Sequence, residues 1–182
     1  MSGDVSQRWP LFPAQALRRM LRRMAFQIHE HHPEVANLLL VGIPTRGVVL
    51  ARRVAQELER ICNRPVPTGI LDPRPYRDDR RGAKGEVADA SLLPERIDGR
   101  DVVLVDDVLM TGRTIRAALD GLIRYGRPRT VRLAVLIDRG LREFPIQPDF
   151  VGRVLPTKAR ERVQVRLEEV DGQEGIWIVE SS

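Results

Sequence analysis

The sequence predicts an α/β fold, a mostly parallel, twisted sheet flanked by helices. Three observations carry that expectation. Two apolar runs, Leu38-Leu39-Leu40-Val41 and Val102-Val103-Leu104-Val105, lack the alternation of a half-wet strand and fit strands buried on both faces. Each gives way within a few residues to a helical pattern: Val48, Leu50, Ala51, Val54, Ala55 and Leu58 after the first, Ile115, Ala118, Leu119 and Leu122 after the second. A third apolar run, over 130–137, continues the alternation. Strand-to-helix turns of such a sheet gather at its carboxyl edge, so their residues are the first candidates for a site.

Taken in order, 1–12 carries no periodic signal and is expected to cross the surface or join a subunit contact. Pro13 and Ala14 open a helix whose Leu17, Met20, Leu21, Met24 and Ile28 form one apolar stripe. Arg18, Arg19, Arg22 and Arg23 lie on the other side, a candidate polyanion-binding face whose plain alternative is solvated helix surface. His29, His31 and His32 close this helix without an acidic partner at metal-ligand spacing, and are expected to complement its dipole. The first strand is expected over 37–43 and runs into Pro44-Thr45-Arg46-Gly47, where a basic residue and a glycine at a helix start make an anion pocket. A short strand over 66–71 ends at Asp72. Residues 73–98 have little apolar content and carry Arg74, Arg77, Arg80, Arg81 and Lys84. They read as a basic lid over a polyanion or as a plain surface loop.

The central stretch, 102–114, joins a buried strand to two adjacent carboxylates, Asp106 and Asp107, and to the turn Met110-Thr111-Gly112-Arg113-Thr114. Carboxylates accept hydrogen bonds from neighbouring ribose hydroxyls, Gly112 lets backbone approach a phosphate, and the helix start supplies N–H donors. No G-x-x-x-x-G-K-[ST] is present, so a nucleoside-triphosphate loop fits less well than a ribose 5-phosphate site. Two anion-binding turns on one sheet edge suit a substrate with phosphate at both ends. The next helix is expected to end near Tyr125-Gly126, with a strand over 130–137. Pro145 and Pro148 bar a helix before a short edge strand over 150–155. The alternating 163–167 and 176–179, about Asp171-Gly172, read as a terminal hairpin.

The 182 residues are expected to form one domain, over 1–182, with neither internal repeats nor an apolar run near the ~20 residues that span a bilayer. Cys62 is the single cysteine, which excludes an internal disulfide and suits a reducing cytoplasm. The N-terminus lacks the apolar core of a secretory signal. A net charge of +5 favours phosphates, nucleotides or RNA as ligand or partner. No Ser-His or Cys-His arrangement suggests a covalent nucleophile.

Residues 102–114 resemble the phosphoribosyl-pyrophosphate (PRPP) signature of the type I phosphoribosyltransferases. Together with VGIPTRG (41–47), YRDD (76–79), YGRPR (125–129) and LIDRGLREFPIQPDFVG (136–152), they resemble the PyrR family. Its members are pyrimidine operon regulators that are also uracil phosphoribosyltransferases. The resemblance implies a type I phosphoribosyltransferase fold with a lid at about 73–98, a small hood at about 138–160 and a C-terminal β-hairpin. It implies that Asp106 and Asp107 hold the ribose hydroxyls. Val108, Leu109, Met110, Thr111, Gly112, Arg113 and Thr114 would cradle the 5-phosphate, and Thr45, Arg46 and Gly47 would bind pyrophosphate. Mg²⁺ would bridge pyrophosphate to ribose, touching Asp106 and Asp107 through ribose or water. Asp138 and Arg139 would form the hood over uracil, and lid residues Arg77 and Arg80 would close on the leaving group. UMP, pyrimidine operon leader mRNA and other copies of the chain are the implied partners, with RNA assigned to Arg18, Arg19, Arg22 and Arg23.

Met110 stands where purine-specific relatives commonly carry an aspartate, which favours a pyrimidine base. Leu141 replaces the family's usual histidine, Lys158 follows Pro156-Thr157 where serine is common, and Pro44 takes a position that is often polar or basic. Some of these positions lie in regions the family uses for RNA or nucleotide recognition. The alternatives are an RNA-binding regulator with little catalysis and a type I phosphoribosyltransferase for another base.

Overall fold

The computed structural model describes residues 10–78, 88–94 and 96–180. Five strands, β2 (Leu38–Gly42), β3 (Thr68–Ile70), β4 (Asp101–Leu109), β5 (Thr130–Asp138) and β6 (Phe150–Val154), form a sheet in the order β3-β2-β4-β5-β6. Every pairing between them is parallel. Burial of both faces explains the unbroken apolar runs. Leu38, Leu40, Val103 and Val105 pack on one side against α1 (Ala14–His31) and α2 (Arg46–Cys62). Leu39, Val41, Val102 and Leu104 pack on the other side against Ile115, Ala118 and Leu122 of α3 (Arg113–Leu122). The whole apolar stripe of α1 is buried, while Arg18, Arg19, Arg22 and Arg23 are exposed. Among the described residues, no helix is long and apolar enough to cross a membrane.

The C-terminal hairpin forms as expected, from β7 (Glu161–Arg166) and β8 (Gly175–Glu180), but a single helical turn, α4 (Glu168–Asp171), fills its connection. The expectation of a wandering N-terminal stretch fails at its end. Phe12 and Pro13 form a two-residue strand, β1, that adds to β8 and makes the small sheet three-stranded, β1-β8-β7. Two residues are too short for any periodic signal, and only the tertiary pairing defines them. The histidine cluster also divides. His29 and His31 lie in the last turn of α1, but His32 is buried at the helix end, 3.7 Å from Asp101. Burial lowers the His32 pKa against the opposing pull of Asp101.

The order of the large sheet positions the site. From β2 the chain crosses outward to β3 and then returns past β2 to β4, so the direction of winding reverses between β2 and β4. Loops leaving those two strands diverge there and open a crevice at their carboxyl ends. The end of the expected lid is tied to this edge: Leu92 bridges to Ile70, and the Ser91 hydroxyl accepts the backbone N–H of Asp72 at 2.8 Å. Arg80, Arg81 and Lys84 of the expected lid lie outside the described residues.

Candidate active site

At the winding reversal lies a cleft of about 490 Å³ lined by Ile43, Pro44, Thr45, Asp72, Arg74, Arg77, Asp106, Asp107, Val108 and Thr114 among others. Both strand-to-helix turns therefore meet in one place. Glycines make the approach possible. A Cβ on Gly47 would fall closer than 3.0 Å to the Val105 carbonyl oxygen and 3.3 Å from the Asp106 Cα. With hydrogen there, the first turn of α2 lies directly on the end of β4, beside the acidic pair. Gly112, at φ 88°, makes the left-handed turn into α3 that a Cβ would oppose.

The two carboxylates differ. Asp106 is buried, and its Oδ1 accepts the Asp107 N–H at 2.9 Å. Burial, together with the charge of Asp107, pushes the Asp106 carboxyl well above the usual carboxylate range. Asp107 is half-buried, and its Oδ1 accepts the Val108 N–H at 2.8 Å. Asp107 is thus the more solvated of the two and the one more accessible to a ligand.

Neither α2 nor α3 carries an acidic residue in its first turn or a side-chain cap from its N-cap residue, Thr45 or Gly112. Their first N–H groups and positive dipole ends face the crevice without a built-in anion. At the α3 end, Thr111 Oγ1 accepts the Arg113 N–H at 3.2 Å, and Arg77 Nη1 donates to Thr114 Oγ1 at 3.0 Å. Arg77 is therefore placed on the turn into α3 itself. Arg74, on the same wall, is gripped by the buried Asp72 through Nε and Nη2, the latter at 2.6 Å. Arg113 turns outward, to Glu143 at 2.6 Å and Asp78 at 3.1 Å, with its guanidinium 5.0 Å from the Phe144 ring centre. Arg113 thus contributes its backbone to the turn while its side chain braces the loop that follows β5.

The register of β4 and β5 sets Leu109 beside Asp138, so the end of β5 adjoins the turn into α3. Asp138 accepts Gly140 N–H at 3.0 Å and Arg142 Nη2 at 2.7 Å. Arg142 was not legible as a site residue. It also donates to the Met110 and Ile146 carbonyls, at 3.0 and 2.7 Å, tying the loop after β5 to the turn into α3. The Arg139 side chain is buried and committed to Thr157 Oγ1, at 2.8 Å, and to the Lys158 and Glu161 carbonyls. It organises the 157–161 loop, and its backbone N–H meets the Leu109 carbonyl.

Arg46 is placed at the first position of α2, but its guanidinium is engaged by Asp171 of the hairpin connection, Nη2 to Oδ1 at 2.6 Å. Asp171 is a second residue that sequence reasoning missed. On the far side of the molecule from α3, Arg18, Arg19 and Arg22 line an α1–α2 groove with Arg60 and the exposed Phe26. Arg23 leaves this group and donates to the Gly152 carbonyl on β6.

Residues 11–167 match the phosphoribosyl transferase domain family. The bifunctional protein PyrR of Brevibacillus brevis is 54% identical over 157 residues, which cover 86% of this chain and 88% of that protein. The chain belongs to the PyrR family. Other bifunctional PyrR proteins agree with it at similar levels. That of Streptomyces coelicolor is 51% identical over 93% of this chain and 88% of its own, and that of Pelotomaculum thermopropionicum 50% over 91% and 92%. Among solved structures, a hypoxanthine phosphoribosyltransferase from Trypanosoma cruzi superposes with a TM-score of 0.74 at 18% identity, covering 93% of this chain and 94% of that one. One from Staphylococcus aureus gives 0.70 at 17%, covering 100% and 98%. At such identities the likeness establishes the type I phosphoribosyltransferase fold of this PyrR chain, and nothing about its base.

Proposed function

We propose that this PyrR-family chain transfers the phosphoribosyl group of PRPP to N1 of uracil, giving UMP and pyrophosphate. The observation that carries this reading is the convergence on one cleft of Asp106-Asp107 and two helix starts that carry no acidic residue in their first turns. Asp107, as the more solvated carboxylate, accepts the ribose hydroxyls, and Asp106 holds the backbone that presents it. The Thr111–Thr114 turn receives the 5-phosphate through N–H groups and hydroxyls. Thr45, Arg46 and the Gly47 backbone receive the pyrophosphate, with Arg74 and Arg77 on the opposite wall. Displacement at the anomeric carbon passes through an oxocarbenium-like state, so catalysis here is positioning and charge stabilisation and needs no covalent nucleophile.

The donor chemistry fits Mg²⁺. Among the described residues, no three His, Cys, Asp or Glu side chains gather into a cation cage. A hard cation that keeps its waters and binds through one or two carboxylates and substrate oxygens suits the Asp106-Asp107 edge. When bound, it would neutralise charge on the departing pyrophosphate. For the base, Asp138 and neighbouring backbone present polar groups at the end of β5, and Arg139 fixes the loop that roofs them. Met110 offers no carboxylate for a purine imidazole, which supports uracil. The test is release of pyrophosphate from PRPP by the full chain with Mg²⁺. Release is expected on addition of uracil, and its absence overturns the assignment.

The same chain acts as a UMP-responsive, RNA-binding regulator of pyrimidine genes. The arginine-lined α1–α2 groove with Phe26 at its wall supports this reading, since unpaired bases stack on aromatic and guanidinium planes. A homo-oligomer that paired two such helices about a twofold axis would enlarge the basic surface. Affinity for a pyrimidine operon leader RNA is expected to fall steeply with salt. Equal affinity for a scrambled RNA would contradict specific regulation.

A further inference from the structure

The connection between β7 and β8 is acidic and closely fitted to α2. Arg46 and Arg53 lie seven residues apart on one face of α2, and both are held by this connection. Glu169 takes Arg53 through Nε and Nη2, at 2.9 and 2.6 Å, and Glu174 takes its Nη1. Asp171 takes Arg46 through Nε at 3.1 Å and Nη2 at 2.6 Å. The connection is itself anchored. Leu167 is fully buried, its carbonyl accepts the N–H groups of Val170 and Asp171, and its own N–H donates to Asp171 Oδ2 at 2.8 Å. The carboxylate that meets Arg46 is thus fixed from behind.

A guanidinium has five N–H donors in a rigid plane, and this pairing consumes the Nε/Nη2 edge. The remaining Nη1/Nη2 edge has no partner among the described residues, and Arg46 precedes Gly47, which packs on the Val105-Asp106 end of β4. An arginine held by one edge presents the other, already oriented, to a pair of phosphate oxygens. Resting on the pyrophosphate role given above to Arg46, we propose that Asp171 is a positioning residue for pyrophosphate. It acts by fixing the outer edge of Arg46.

The test uses the full chain, with Mg²⁺-pyrophosphate as the calorimetric probe and KM values for PRPP and uracil measured alongside. Asp171→Asn keeps an acceptor for the Leu167 N–H and removes the charge that grips Arg46. It is expected to weaken pyrophosphate binding and raise KM for PRPP by about tenfold, the scale of ordering one long side chain, with little change in KM for uracil. Asp171→Glu is expected to recover part of the loss. In an Arg46→Ala background, Asp171→Asn is expected to add nothing. Glu169→Gln, on the same connection, is expected to leave pyrophosphate affinity unchanged. Unchanged or tighter pyrophosphate binding by Asp171→Asn would overturn the positioning role, the second result meaning that Asp171 competes with the ligand for Arg46. An equal loss in the Arg46→Ala background would overturn it too, as a general structural effect. A wild-type chain that does not bind pyrophosphate would instead remove the underlying reading of the site.

Discussion

Gly47→Ala is expected to damage both turnover and stability, because the contact it breaks sets the distance between the two strand-to-helix turns of the cleft. A Cβ at 47 would lie closer than 3.0 Å to the Val105 carbonyl oxygen, where ordinary contact begins at 3.4 Å. The obstacle is backbone in the middle of a parallel sheet and cannot swing aside. The first turn of α2 must therefore retreat by about 1 Å, taking Thr45 and Arg46 with it, to regain a normal contact. Overpacking of this kind costs about 1–3 kcal/mol, which lowers Tm by about 2–12 °C in a chain of this size. A misplacement of about 1 Å at reacting groups costs about 10²-fold in rate. Thermal melts paired with kcat/KM for PRPP measure both. A variant with wild-type Tm and wild-type kcat/KM would refute the reasoning, since it would show that α2 does not depend on this contact.

Asp107→Asn keeps the shape and the acceptor for the Val108 N–H, so its Tm is expected to match wild type while kcat/KM falls by about 10²-fold, roughly 2.7 kcal/mol. Near-normal activity would show that the ribose is held elsewhere. For Asp106 the folded pKa lies above the unfolded one. The protonated carboxyl stabilises the fold fully below the ordinary carboxylate value near about 4, and that stabilisation is lost as pH rises through the folded value. Asp106→Asn mimics the protonated form, so its Tm advantage over wild type is expected to widen as pH rises from 4; a constant difference would contradict the pKa direction. Arg142→Ala frees Asp138 and unties the hood from Met110, and is expected to raise KM for uracil more than KM for PRPP. A change confined to PRPP would place Arg142 outside the base site.

The sheet was legible because burial on both faces leaves runs such as Val102-Val103-Leu104-Val105 without any polar interruption. The two turns were legible because a glycine and polar residues must follow such runs wherever a helix starts against the sheet. Their side-chain partners were not. Arg46 and Asp171 are 125 residues apart, and no local pattern marks which of many carboxylates an arginine will meet. Arg113 and Arg139 sit in the expected segments, yet their guanidinium groups brace loops, because a long side chain can turn either way from one backbone position. Arg23 shows the same on α1: it lies one turn from Arg19, but a carbonyl on β6 captures it. The sequence marks Gly47 as a ligand contact, and the structure gives it a packing role against the end of β4.

The most direct test of the account is product formation from PRPP and Mg²⁺ with uracil, hypoxanthine, adenine and orotate supplied in parallel to the full chain. UMP is expected from uracil and negligible nucleotide from the other three. Turnover with hypoxanthine or adenine would contradict the reading of Met110 and of the hood around Asp138, and turnover with none of the four would contradict the assignment of the cleft as a catalytic site.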